Sequence, residues 1–224
     1  MVIDSVILTS LIDYPGHIAC TIFTSGCNYN CWYCHNNKLI TQVENKVDET
    51  DLLDKLKQRK DFLDGLVICG GEPTLQVDLE QFIVKVRALG YKVKLDTNGT
   101  NPQVIKSLLG KNLLDYVAMD IKAPFDKYES VLGGKVDISK IKSSIELLKG
   151  CVVDYEFRTT FSPDLSLDDI REIAKSIKGS SRYFIQQYVP PVHLGKDAPK
   201  PHSKEILSEA AINANGYVPT HVRG

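Results

Sequence analysis

Hydrophobic and polar positions divide the chain into two alternating kinds of segment. Strand-like runs, rich in apolar and β-branched residues, are Ile18–Thr24, Leu66–Cys69, Lys92–Asp96, Tyr116–Ile121, Tyr155–Phe161 and Tyr183–Tyr188. Helix-like segments, with apolar residues three or four positions apart, are Asp51–Lys60, Leu79–Leu89, Gln103–Leu109, Ile138–Leu148, Leu167–Ile177 and Lys204–Ala214. This alternation predicts an α/β fold with a parallel sheet, and six repeats predict an open partial (β/α)6 barrel rather than eight closed strands.

The size of the chain agrees with one unit of this kind. Its 224 residues suit a single α/β domain, and 43% hydrophobic residues are enough to form a sizeable core. We therefore expect one domain over residues 1–224, in which residues 190–224 form a loop and a C-terminal helix extension. The segment Pro190–Ser203 is rich in Pro, Gly and Lys, which predicts a long surface loop.

Charge and hydropathy argue against two classes of partner. The 27 basic and 28 acidic residues leave a formal net charge of −1, which gives no broad attraction to nucleic acid or to an anionic membrane. We find neither a secretion signal nor an uninterrupted apolar run of ~18 residues. The expected location is therefore the cytoplasm, where six cysteines are more typical of metal binding than of disulfides.

Three of the cysteines lie within eight residues, directly after the first predicted strand. Three residues separate Cys27 from Cys31, and two separate Cys31 from Cys34, so their thiolates can bind different irons of one cluster. Three ligands leave one iron open to an exogenous ligand, unlike an electron carrier with four thiolates. The alternative is a zinc knuckle with His35 as fourth ligand, but His35 follows Cys34 without the intervening residues of zinc motifs.

The cysteine spacing resembles that of a known superfamily. Cys, three residues, Cys, an aromatic residue, Tyr and Cys is similar to the pattern of the radical S-adenosylmethionine superfamily, and Cys-His-Asn at 34–36 resembles glycyl-radical-enzyme activases. The resemblance extends from about Ile7 to Val189. Within the superfamily the chain most resembles the activating component of the anaerobic ribonucleoside-triphosphate reductase. The motifs are Asp13-Tyr14-Pro15-Gly16, Gly70-Gly71-Glu72-Pro73-Thr74-Leu75-Gln76, Asp96-Thr97-Asn98-Gly99 and Met119-Asp120-Ile121-Lys122-Ala123-Pro124.

The resemblance implies two cofactors and a set of residues that hold them. One 4Fe–4S cluster would be bound by Cys27, Cys31 and Cys34, and S-adenosylmethionine would bind its open iron. The backbone that begins at Gly70 is implied to bind the amino group of this cofactor, and Lys122 its carboxylate. The residues implied around S-adenosylmethionine are Tyr33, His35, Gly70, Gly71, Glu72, Pro73, Asp96, Thr97, Asn98, Asp120, Lys122, Arg158 and Gln187.

Two of these motifs also have a purely structural explanation as turns. Gly70–Gly71 suits any tight connection between a strand and a helix, and Asp96–Asn98 is typical of an Asx turn. Gln187 differs from the family pattern, since pyruvate formate-lyase activases carry a His at that strand end. The position of Gly70–Gly71 after the cysteine loop favours cofactor binding there, whereas at Asp96–Asn98 a structural turn and cofactor binding both stay open and can coexist.

The charged residues on the predicted strands can be explained either by cofactor binding or by ion pairs within the protein. Asp120 and Lys122 are two residues apart, so they face one side of a strand, where charges are costly unless they bind something. Arg158 faces the same way as Glu156, and the alternative to cofactor binding is an internal ion pair between them.

The resemblance also implies the reaction and its partners. An electron from a reduced flavodoxin or ferredoxin would cleave S-adenosylmethionine to a 5′-deoxyadenosyl radical, which would generate a glycyl radical on anaerobic ribonucleotide reductase. Activation of a pyruvate formate-lyase type enzyme, or another radical reaction, would use the same cofactor site. Alternatives from other classes are a noncatalytic electron-transfer module, which the missing fourth thiolate argues against, and a zinc-bound interaction domain.

Overall fold

The strands form one sheet, and the computed structural model describes residues 1–41 and 46–224. The strands are β1 (Ile3–Ser10), β2 (Ala19–Thr24), β3 (Gly65–Gly70), β4 (Lys92–Thr97), β5 (Tyr116–Asp120), β6 (Asp154–Phe161), β7 (Tyr183–Gln187) and β8 (Thr220–Arg223). Their order in the sheet is their order in the chain. β1 pairs antiparallel with β2, and each later strand pairs parallel with the one before it.

The six predicted strands correspond to β2 through β7, and the predicted open barrel is confirmed. Within the described ranges, β1 and β8 lie at opposite edges of the sheet and do not pair with each other. The sequence pattern missed both edge strands. Six of the eight residues of β1 and all four of β8 are at least partly exposed, so neither strand has the apolar pattern of a buried strand.

Helices connect the parallel strands and pack against the outer face of the sheet. All six predicted helices are present, and a capping box formed by Ser166 and Asp169 begins one of them. Two further helices are short, and 3-10 turns occupy Pro73–Leu75 and Val192–Asp197. No helix among the residues described is long and apolar enough to cross a membrane. The helices are α1 (Asn37–Thr41), α2 (Glu49–Gln58), α3 (Leu79–Ala88), α4 (Pro102–Gly110), α5 (Tyr128–Leu132), α6 (Ile138–Lys149), α7 (Leu167–Ser176) and α8 (Lys204–Asn215).

The two faces of the sheet differ in chemistry. The face toward the helices is part of the main hydrophobic core. The inner face carries a much smaller apolar cluster, which includes Val67, Tyr116 and Ala118, together with the buried charged residues Lys94 and Glu156. Charged groups inside a protein require partners, and the inner face of the barrel provides them.

The C-terminal strand supplies the partner of Glu156. Both carboxylate oxygens of this fully buried residue accept hydrogen bonds from the Arg223 guanidinium on β8, at 3.0 and 3.3 Å. The Tyr116 hydroxyl donates a third bond to the carboxylate at 2.7 Å, and the guanidinium lies 3.9 Å from the centre of the Phe184 ring. The ion pair between Glu156 and Arg158 considered from the sequence is therefore replaced by one between Glu156 and Arg223.

Replacing Arg223 by Ala should destabilise the fold by about 2 kcal/mol. Loss of one partner of a buried ion pair typically costs about 3–5 kcal/mol, and we expect less here because the Arg223 side chain is 36% exposed. Urea denaturation followed by circular dichroism measures the free energy of unfolding. The control is Arg171→Ala, which removes an exposed pair with Asp168 on α7 and should have little effect. Equal losses in both variants would contradict a structural role for β8.

Candidate active site

The three predicted cluster cysteines lie on a loop without regular structure that follows β2. Hydrogen bonds to distant backbone hold this loop: the Gly26 N–H donates to the Leu39 carbonyl at 2.7 Å, and the Glu72 N–H donates to the Gly26 carbonyl at 2.8 Å. A Cβ atom at Gly71 would collide with that same Gly26 carbonyl. Gly71 is therefore needed for the turn after β3 to approach the cysteine loop.

Side chains attach the same loop to two other parts of the barrel. Asn28 donates to the Thr100 hydroxyl at 3.0 Å and accepts from the Asn98 amide at 2.9 Å, which ties the loop to the end of β4. The Trp32 indole N–H donates to Asp164, in the connection from β6 to α7, at 3.1 Å. Segments far apart in the chain thus fix the cysteine loop.

A cavity of about 230 Å³ lies between this loop and the C-terminal ends of β3 through β6. Its lining includes Tyr29, Cys69 and Thr160, which are not among the predicted site residues. Two predicted site residues do not line it: Pro73 is buried at the start of a 3-10 turn, and the Gln187 amide donates to the carbonyls of Tyr188 and His202. The predicted residues that line the cavity are Cys27, Cys31, Cys34, Tyr33, His35, Gly70, Gly71, Glu72, Asp96, Thr97, Asn98, Asp120, Lys122 and Arg158.

Five charged side chains form a continuous array, and four of them, Asp96, Asp120, Lys122 and Arg158, line the cavity. Lys94 pairs with Asp96, whose other oxygen accepts from the Arg158 guanidinium at 2.8 Å. Arg158 also donates to Asp120 at 2.8 Å, and Asp120 accepts from Lys122 at 2.9 Å. Burial opposes ionisation of Asp120, but the charges of Arg158 and Lys122 outweigh it and hold the Asp120 pKa below its usual range. Three cations against two carboxylates leave the array with one positive charge.

The Glu72 carboxylate faces the protein rather than the cavity centre. It is fully buried and accepts hydrogen bonds from the Thr74 N–H and hydroxyl, at 3.1 and 2.5 Å. It also accepts from the Thr97 hydroxyl and the Asn98 N–H, both at 2.7 Å. Burial raises the pKa of Glu72, although these four donors oppose the shift. In this position Glu72 joins the turn after β3 to the end of β4.

The sequence profile of the Radical SAM superfamily matches residues 21–177. This chain belongs to the radical SAM superfamily. A Methanocaldococcus jannaschii protein provisionally named a glycyl-radical enzyme activating enzyme is 40% identical over 200 residues, which cover 84% of this chain and 80% of that protein. A pyruvate formate-lyase-activating enzyme of Clostridium pasteurianum is 30% identical over 186 residues, which cover 79% and 76% of the two chains.

Solved structures share the fold of this radical SAM protein. Streptococcus suis SuiB bound to S-adenosylmethionine has a TM-score of 0.73 at 16% identity, over 90% of this chain and 49% of SuiB. The chain thus spans about half the length of SuiB. TYW1 with a lysine-pyruvate adduct has a TM-score of 0.63 at 18% identity, over 89% of this chain and 72% of TYW1. Such identities establish similarity of fold only.

The cysteine loop of this radical SAM protein fits the cluster of its superfamily, which uses a 4Fe–4S cluster and S-adenosylmethionine. Cys27, Cys31 and Cys34 line one cavity. Burial raises the pKa of the Cys27 thiol to about 11 and also raises that of Cys31, so bound iron must replace their protons. No three His, Cys, Asp or Glu side chains in the described part of the chain are placed to hold a single metal ion. The three thiolates that bind a cluster do not have to point at one atom, as zinc ligands do, because each thiolate binds a different iron.

The rest of the cavity fits a ligand that carries a carboxylate. Lys122 and Arg158 offer cationic donors for a carboxylate. The hydroxyls of Tyr29 and Tyr33 are buried and have no hydrogen-bond partner within residues 1–41 and 46–224. Such buried unpaired groups are uncommon in folded proteins. Both tyrosines line the cavity, whereas the hydroxyls of Tyr183 and Tyr188, also unpaired within these ranges, belong to residues outside its lining.

The predicted site residues do not include Lys94 next to the cavity, nor Tyr29, Asn36, Ile40 and Thr160 in its lining. Lys94 lies on β4, two positions before Asp96, and that spacing alone places both side chains on one face of the strand. Tyr29 lies between the first two cysteines, where the predicted loop gave no indication of its burial. Cys69, which is not among the predicted site residues, lines the cavity, and burial raises its pKa to about 12.

Anaerobically reconstituted protein should carry one 4Fe–4S cluster, and each of Cys27→Ala, Cys31→Ala and Cys34→Ala should remove it, since three thiolates hold it. Iron and sulfide content and visible absorption measure the cluster. The matched controls are Cys20→Ala, Cys69→Ala and Cys151→Ala, which should retain it. Loss of the cluster in a folded control variant, or stoichiometric zinc without charge-transfer absorption, would show that the ligand assignment is wrong.

Lys122→Ala and Arg158→Ala should retain the cluster but weaken S-adenosylmethionine binding by roughly tenfold or more, because each removes a charge-assisted hydrogen bond. Isothermal titration calorimetry on the reconstituted variants measures the affinity. Lys140→Ala, on the exposed surface of α6, is the control and should bind like the unaltered protein. Unchanged affinity in both site variants would leave Lys122 and Arg158 with a structural ion-pair role only.

Proposed function

We propose that this radical SAM enzyme activates a glycyl-radical enzyme, and that its partner is an anaerobic ribonucleotide reductase. The observation that carries the proposal is the 40% identity, over 84% of the chain, to a relative named for glycyl-radical enzyme activation. The Cys34-His35-Asn36 sequence at the edge of the cavity supports the same class. The motifs at residues 13–16 and 119–124 favour the reductase as the partner.

The residues of the cavity have distinct roles in this proposal. Lys122 and Arg158 bind the carboxylate of S-adenosylmethionine, and Asp96 and Asp120 hold these two cations in place. Tyr33 lies against the adenine, and the buried wall excludes water from the reacting groups. Cys27, Cys31 and Cys34 would hold the cluster, which would supply, once reduced by flavodoxin or ferredoxin, the electron for release of a 5′-deoxyadenosyl radical from S-adenosylmethionine.

A second cavity supports a polypeptide as the substrate. It has a volume of about 670 Å³ and shares His35 and Asn36 with the first. Asp4 and Ile7 of β1 line one side, and Val192 lines the other, so this cavity adjoins an open edge of the sheet. Because the two cavities share His35 and Asn36, a loop of another protein that binds in the second cavity would lie next to the first.

Activation of a pyruvate formate-lyase type enzyme is the second candidate function. The relative from Clostridium pasteurianum favours it, since 79% of this chain matches a pyruvate formate-lyase-activating enzyme at 30% identity. Both candidates use the same cofactor site and differ only in the protein that presents the glycine.

Incubation of the reduced enzyme and S-adenosylmethionine with anaerobic ribonucleotide reductase should give an organic radical on the reductase, because the substrate hydrogen comes from a backbone glycine. Electron paramagnetic resonance should show a doublet, and 5′-deoxyadenosine should form in matching amount. Deuterium placed on the partner's glycine should appear in that product. The control reaction contains Cys31→Ala enzyme and should give neither product.

Different experimental results would contradict the proposed partner and the proposed class of reaction. A radical on a pyruvate formate-lyase homologue, with none on the reductase, would retain the activase class and contradict the partner. Cleavage of S-adenosylmethionine with no radical on either protein would contradict glycyl-radical activation as a whole.

A further inference from the structure

Lys94 is a buried cation behind the wall of the cofactor cavity. Its side chain is 2% exposed and projects from β4 into the barrel, next to Val67 and Tyr116 on the neighbouring strands. The ammonium pairs with Asp96 and lies 5.8 Å from the centre of the Tyr116 ring. Lys94 does not line the cavity, whereas Asp96 does.

Packing alone does not account for a lysine at this position. A buried ammonium loses its hydration, and apolar residues of similar volume often stabilise such sites as well as ion pairs do. The neighbours Val67, Tyr116 and Ala118 form an apolar cluster. A methionine in place of Lys94 would pack against this cluster. We therefore look for the effect of Lys94 in the charged groups that it contacts.

The charge balance of the array shows what Lys94 changes. With Lys94 present, three cations face two carboxylates, so the array carries one net positive charge, and Lys122 and Arg158 are its two cations in the cavity lining. Without Lys94, the charges of Arg158 and Lys122 would be fully balanced by Asp96 and Asp120. Asp96 would also lose one of its two cationic partners, which leaves Arg158 as its one strong ion pair.

We propose that Lys94 is a positioning residue that, by neutralising Asp96 from behind the cavity, keeps Lys122 and Arg158 available to the carboxylate of S-adenosylmethionine. The inference rests on the proposed placement of that carboxylate at Lys122 and Arg158. It gives Lys94 a role in cofactor affinity without contact with the cofactor.

Replacement of Lys94 by Met tests this role directly. In the reconstituted protein, Lys94→Met should retain the cluster, measured as iron and sulfide, and should bind S-adenosylmethionine about tenfold more weakly by calorimetry. Lys92→Met is the matched control, since Lys92 lies on the same strand and is exposed, and it should bind normally. Normal affinity in a folded, cluster-containing Lys94→Met variant would overturn the inference.

A double variant separates charge balance from a general structural role. If Lys94 acts by neutralising Asp96, then removal of that carboxylate makes Lys94 unnecessary. Asp96→Asn and Lys94→Met/Asp96→Asn should therefore bind S-adenosylmethionine with similar affinity. A further tenfold loss in the double variant would contradict the inference, and this comparison holds even where Lys94→Met alone does not fold.

The placement of the cofactor and the role of Lys94 are distinguishable in the same experiment. Weak binding by Lys122→Ala together with normal binding by Lys94→Met overturns the role of Lys94 only. Normal binding by both Lys122→Ala and Arg158→Ala overturns the placement of the carboxylate, and the role of Lys94 with it.

Discussion

The guanidinium of Arg158 holds the polar wall of the barrel together, because it bridges carboxylates from two neighbouring strands. Asp96 and Asp120 accept its hydrogen bonds at the ends of β4 and β5, and the two lysines take the remaining oxygens. Each of these charges would be costly alone in the interior, where pairing must outweigh lost hydration. The cofactor cavity depends on this array, since four of its five members form part of the cavity lining.

The sequence predicted the parallel part of the fold because burial there is strong. Strands β3 and β5 are buried along most of their length, so their apolar runs identify them, and the helices between them have a clear apolar face. The edges are different. The exposed residues of β1 and the short β8 follow no apolar period. In addition, β8 is held by a contact that is distant in the chain, between Glu156 and Arg223.

The site was predictable where a motif or a two-residue spacing determines it. The spacing of Asp120 and Lys122 placed both side chains on one face, and they form an ion pair. The sequence could not show that the Glu72 carboxylate faces Thr97, because that orientation depends on the packing of two turns. It also could not show that Gln187 donates to the His202 carbonyl, since the path of the loop 190–203 follows from tertiary contacts.

A backbone hydrogen bond joins the cysteine loop to the turn after β3. The Glu72 N–H donates to the Gly26 carbonyl beside Cys27, and the missing side chain at Gly71 allows that approach. The Glu72 carboxylate in turn binds the end of β4 at Asn98. Displacement of any one of these three segments therefore strains the other two. The irregular loop that carries the three cysteines thus takes its position from the same strand ends that line the cavity.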